Sequence, residues 1–201
     1  MLNALGLTIK EGVHVDFIKH CPNFEPEDGD DGYRKVLLVR DPVNRFISTV
    51  LSRCRIMYQL PYPYITTRNL LSMLYDSNMV KENDVFEGCY FSSDIRHHFK
   101  QQAAFKTGLE WDYIYNIDDD LNLIFQKVSE DLSLPQFMFD KMNATDGAKE
   151  YTGDFYGDIP FGHLPDSTSK HPDAWLDLSM QTMLRDLYQD DFNLMDKCIR
   201  L

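Results

Sequence analysis

The sequence contains no apolar run approaching the ~20 residues a bilayer-spanning helix needs, and its first residues lack the basic-then-apolar layout of a secretory signal. Such a chain is expected to be soluble, with no membrane span. Positive charge is scarce. Twenty Lys and Arg stand against 32 Asp and Glu, a net charge of −12, which argues against the broad basic face that nonspecific nucleic-acid binding requires. The cysteines Cys21, Cys54, Cys89 and Cys198 are too scattered for a zinc site and too sparse for a disulfide scaffold, so a reducing, cytoplasmic setting is expected, with no metal. Without a secretion signal, the glycosylation sequon at Asn143-Ala144-Thr145 reads as chance. No internal repeat is apparent. What the chain does have is 43% hydrophobic and 13% aromatic residues over 201 positions, enough for one folded domain spanning residues 1–201 and too few for two.

The most informative stretch runs from Arg34 to Arg55. Val36, Leu37, Leu38 and Val39 form an apolar run without alternation, which predicts a strand covered on both faces, as in a parallel sheet. Asp41 is a good helix N-cap and Pro42 suits the first helical position. Val43, Phe46, Ile47, Val50, Leu51 and Cys54 then recur at helical spacing and predict a core-facing stripe. Arg45, Ser48, Ser52 and Arg55 fall on the opposite side, and Arg40 ends the strand beside the helix N-terminus. Guanidinium groups, a hydroxyl and the free N–H groups of a first turn suit a phosphate. The alternative is an ordinary capped turn with surface arginines, which every α/β domain contains.

Elsewhere, Val13 to Ile18 predicts a short strand and residues 21–32 an acidic loop. Leu70, Leu71 and Leu74 predict a short helix. A further helix from Ser92 or Ser93 would place Asp94, His98 and Gln102 on one face. Trp111 to Ile117 alternates like a strand, and Asp118, Asp119 and Asp120 would cap a helix with core residues Leu121, Ile124, Phe125, Val128 and Leu132. Residues 140–172 predict a long irregular loop, functional or mobile, and Trp175 to Phe192 a closing amphipathic helix. Alternating strands and helices give an α/β fold with a mainly parallel sheet, in which ligands bind beyond the carboxyl ends of the strands.

The segment VRDPVNRFIST resembles the 3′-phosphate-binding segment of sulfotransferases that use the sulfate donor PAPS, particularly the carbohydrate group. His98-Phe99-Lys100-Gln101-Gln102, the run from Thr107 to Pro135 and the C-terminal LRDLYQDDFNLM resemble later segments of that family in the same order, covering most of Lys35 to Met195. The resemblance implies a P-loop-NTPase-like three-layer sandwich and a PAPS-dependent transferase that moves a sulfuryl group to a hydroxyl acceptor, a carbohydrate or another small molecule, and releases PAP. It assigns donor binding to Arg40 and Ser48. Arg45 is placed to support the turn, and Ser167, Thr168, Ser169 and Lys170 either close over the nucleotide or are the ordinary polar residues of a loop. His98 becomes the candidate general base, oriented by Asp94, with His97 the adjacent alternative. The family's Pro-Lys-Thr-Gly loop, which holds the 5′-phosphosulfate, does not occur before Arg40. The expectation is therefore a fold whose N-terminal strand and phosphate loop are missing, either through truncation of the reading frame or as a natural variant. The competing reading is a non-catalytic nucleotide- or ligand-binding protein on a degenerate sulfotransferase fold. Oligomeric state is left open.

Overall fold

A computed structural model of the chain describes residues 36–54, 64–76, 98–103, 111–131, 133, 151 and 153–201. The expected features at Val13 to Ile18, at residues 21–32 and at Asp94 and His97 lie outside them.

Two strands, β1 (Val36–Val39) and β2 (Tyr113–Asn116), pair in parallel with Val36 opposite Tyr113 and Val39 opposite Asn116. The ladder continues one step further, where the Ile117 N–H donates to the Val39 carbonyl at 2.7 Å. The Ile199 N–H donates to the Ile114 carbonyl at 2.8 Å, so the C-terminal tail is tied to β2. Only Val39 of β1 is fully buried, and Val36 to Leu38 are half-buried, less than the two-sided cover their composition predicts. Val36, Leu38, Tyr113 and Tyr115 pack against Leu121, Ile124 and Val128 of α3 (Leu121–Asp131) and against Ile199, forming one apolar cluster.

The larger cluster is built by helices. Asp41 caps α1 (Pro42–Thr49), its carboxylate accepting the Asn44 N–H at 2.9 Å, and Pro42 takes the first position as expected. A π-helical turn, Val50–Cys54, prolongs α1. The predicted stripe is buried at Phe46, Ile47 and Val50 and partly buried at Val43 and Leu51. It meets Leu70, Leu71 and Leu74 of α2 (Thr67–Asp76), whose start is closed by reciprocal bonds between Thr66 and Asn69.

The predicted closing helix is two helices, α4 (Leu178–Leu187) and α5 (Gln189–Met195), because Tyr188 leaves helical geometry between them. Trp175 precedes both and donates its indole N–H to the Ser169 carbonyl at 2.6 Å. Residues 153–172, within the expected irregular loop, send Tyr156 and Phe161 into the larger cluster, and Ala174, Trp175 and Leu176 follow from a short 3-10 turn ahead of the C-terminal helices. Their polarity disguised this role, because the apolar anchors are interspersed with Gly, Asp and Pro and follow no helical or strand period. The described residues are thus mixed α/β, with five α-helices and a two-stranded parallel sheet. None of these helices is long and apolar enough to cross a membrane.

Candidate functional site

The carboxyl ends of β1 and β2 lie side by side because the strands are parallel, and this brings Arg40 and Asp118 together from distant parts of the sequence. Arg40 Nε donates to Asp118 Oδ1 at 2.8 Å. The other oxygen of Asp118 accepts from the Asp41 N–H at 3.3 Å and from Asn44 Nδ2 at 3.2 Å. The run of three aspartates is therefore split. Asp120 caps α3 through the Asn122 N–H at 2.9 Å, while Asp118 turns back to the first turn of α1. The Arg40 side chain is 39% exposed and that of Asp118 is 22% exposed. Among the described residues, the terminal nitrogens of Arg40 donate to no protein group. Ser48 is half-buried on α1, one turn beyond Asn44.

Behind the turn runs the segment 98–103, and its geometry corrects the expected helix face. Helical structure stops at Phe99, so Gln102 is not one turn along from His98. The segment instead lies antiparallel to α1. The Thr49 hydroxyl donates to the His98 carbonyl at 3.4 Å, Arg45 Nη2 donates to the Lys100 carbonyl, and Gln102 reaches Arg40. Gln102 grips both main-chain groups of Arg40: its Oε1 accepts the N–H at 2.8 Å and its Nε2 donates to the carbonyl at 2.7 Å. On the other side the segment is held by the C-terminal helices. Tyr188 donates its hydroxyl to the Phe99 carbonyl at 2.7 Å, Gln101 Nε2 donates to the Leu187 carbonyl at 2.7 Å, and the N–H groups of Gln102 and Ala103 donate to Asp191 at 2.9 and 2.7 Å.

Asp191 also meets Arg45 Nη1 at 3.3 Å, with Arg45 16% and Asp191 0% exposed. Arg45, expected on the outer face of its helix, is thus turned inward, because the buried face of α1 is one row wider than the apolar residues suggest and includes Thr49. Burial lowers the pKa of Arg45, against the attraction of Asp191. Burial raises the Asp191 carboxyl, opposed by the Ala103 and Gln102 N–H groups and by Arg45. Burial likewise raises the Tyr188 phenol. Sequence reasoning missed Asp191, although it falls on the apolar stripe of Leu184, Leu187, Tyr188 and Leu194, where an acid needs a buried partner.

His98 is half-buried, with its backbone beside Thr49 at the far end of α1. An eight-residue helix rises about 12 Å, so the His98 backbone and Arg40 lie at opposite ends of α1. Ser167 is half-buried, and Thr168 and Ser169 are buried. The Ser169 hydroxyl accepts the His171 N–H at 3.0 Å, which commits it to the loop. Lys170 beside it is exposed. No group of three or more His, Cys, Asp or Glu capable of holding a metal ion is present among the described residues. Comparison with protein-family models, with curated proteins and with solved structures returned no match.

Proposed function

We propose that the turn between β1 and α1 holds the 3′-phosphate of PAPS and that the chain is a sulfotransferase acting on a hydroxyl acceptor. A carbohydrate is the acceptor class favoured by the sequence resemblance. The reading takes β1 and β2 as part of a P-loop-NTPase-like three-layer sandwich working in the cytoplasm. The observation that carries it is Arg40. Its backbone is fixed by Gln102 at the carboxyl end of a parallel strand, beside a capped helix start, with two guanidinium nitrogens uncommitted among the described residues.

PAPS, when bound, supplies the sulfuryl group and a phosphate leaving group. Arg40 offers the 3′-phosphate charge-assisted hydrogen bonds and Ser48 adds a hydroxyl. Arg45 acts behind the turn, bracing the 98–103 segment through the Lys100 carbonyl. His98 takes the proton of the acceptor hydroxyl, Asp94 orients its ring, and Lys170 closes over the nucleotide. The separation of His98 from Arg40 suits a donor whose 3′-phosphate and reacting sulfur lie at opposite ends of a ribose.

Calorimetry with PAP tests the reading. The expected result is binding that Arg40→Ala weakens about tenfold to a hundredfold, the value of a charge-assisted hydrogen bond, and that His98→Ala leaves intact while abolishing turnover. Absence of heat at millimolar PAP sinks the donor site; unchanged affinity in Arg40→Ala removes Arg40 from it. Normal turnover in His98→Ala ends its role as base. The bond from Arg40 to Asp118 favours a second reading, a non-catalytic binding protein on a degenerate sulfotransferase fold. Measurable PAP binding without sulfuryl transfer to any hydroxyl acceptor would select it.

A further inference from the structure

Asp118 is bound as an anionic ligand would be. Its two oxygens take the Arg40 guanidinium at 2.8 Å, the main-chain N–H of Asp41 at 3.3 Å and the Asn44 amide at 3.2 Å. The first two are the kinds of donor that a phosphate at a strand-to-helix turn uses. Asp118 is not needed there as a cap, because Asp41 caps α1 and Asp120 caps α3. Nor does it fasten the strands, which the main-chain ladder already joins through Val39 and Ile117. Its loop position is held separately, by its own N–H donating to Asn116 Oδ1 at 3.0 Å. A partly exposed ion pair of this kind contributes only ~0–1 kcal/mol, so a stronger anion can displace it.

We infer that Asp118 is an internal competitor for the anion site: its carboxylate occupies Arg40 Nε, the Asp41 N–H and the Asn44 amide, and a phosphate group must displace it to use them. The inference rests on the donor-site reading above and adds an autoinhibitory contact to it. In this arrangement the site is partly occupied at rest and completes itself by exchange of one anion for another. The resting affinity is set low by the intramolecular carboxylate.

PAP titrations of the full chain, of Asp118→Asn and of Asp119→Asn test it. Asp118→Asn keeps the shape of the side chain and removes its charge; Asp119→Asn makes the same charge change one residue away. The expected result is PAP affinity raised about fivefold or more in Asp118→Asn and little changed in Asp119→Asn. Asp118→Asn binding no tighter than the unaltered chain overturns it while leaving the donor site standing, and so does an equal gain in both variants, which reduces the effect to general charge. No binding by any of the three overturns the donor site and the inference together.

Discussion

Asp191 shows how much one side chain can organise. It lies fully buried, accepts two main-chain N–H groups from residues 102 and 103, and faces Arg45. Removing it strands a guanidinium and two amide donors away from water. The Asp191→Ala variant is expected to lose about 3–5 kcal/mol of stability, measured as a shift of the urea midpoint. Adding Arg45→Met should recover part of that loss, because the stranded charge then disappears with its partner. A loss below about 1 kcal/mol would place the pair with ordinary surface bridges. The same residues show why the sequence misled about Arg45. An arginine three positions before Ser48 and four before Thr49 looks solvent-facing until a carboxylate far along the chain supplies its partner.

At the scale of elements, Arg68 ties the start of α2 to two other segments. Its guanidinium donates to both oxygens of Asp158, at 2.6 and 3.1 Å, and to Asp177 at 2.7 Å. Asp177 is also the N-cap of α4, accepting the Met180 N–H at 2.9 Å. Close approach is needed here. The Arg68 N–H donates to the Gly157 carbonyl at 3.1 Å, and a Cβ on Gly157 would lie 2.6 Å from the Trp175 carbonyl oxygen. The Met180 N–H, followed by Arg68 and Ser179, holds the Asp177 carboxyl down at about 2, and Arg68 lowers Asp158 as well. Both groups are depressed in the folded state, so the stability they supply is present above the unfolded carboxylate pKa of about 4 and is lost as pH falls toward 2. Denaturation midpoints followed from pH 6 to pH 2 should therefore fall less steeply in Asp177→Asn than in the unaltered chain. Identical slopes would show that the cap and the bridge carry no pH-dependent stability.

Across the whole molecule, what the sequence made legible was local. Val36 to Val39, the Asp41-Pro42 start, the stripe through Phe46, Ile47 and Val50, the α2 leucines and the strand at Tyr113 each carry their signal within a few residues, and each forms where expected. The parallel pairing of β1 and β2 followed from the alternation of elements. What stayed hidden depends on partners far along the chain. The clamp of Gln102 on Arg40, the diversion of Asp118 from capping, and the core role of Tyr156 and Phe161 all come from contacts between segments that no local spacing encodes. In the candidate site, Arg40 and Ser48 could be named from a motif and Gln102 could be singled out, though on a helix face that does not form, whereas Asn44 and Asp191 could not be named, because an amide or a carboxylate in a polar stretch is ordinarily solvated.

The two main-chain amides gripped by Asp191 have a measurable consequence. Gln102 and Ala103 belong to no α-helix and to neither strand, so by position alone their hydrogens should exchange with solvent quickly. Bonded to a buried carboxylate, they should exchange as slowly as core amides, on the timescale of opening the contact between α5 and the 98–103 segment. In Asp191→Ala that protection should vanish at these two positions while Phe46 and Leu184 amides keep theirs in the folded fraction. Deuterium uptake resolved at single residues would thus time the release of the strap that holds Arg40 in place.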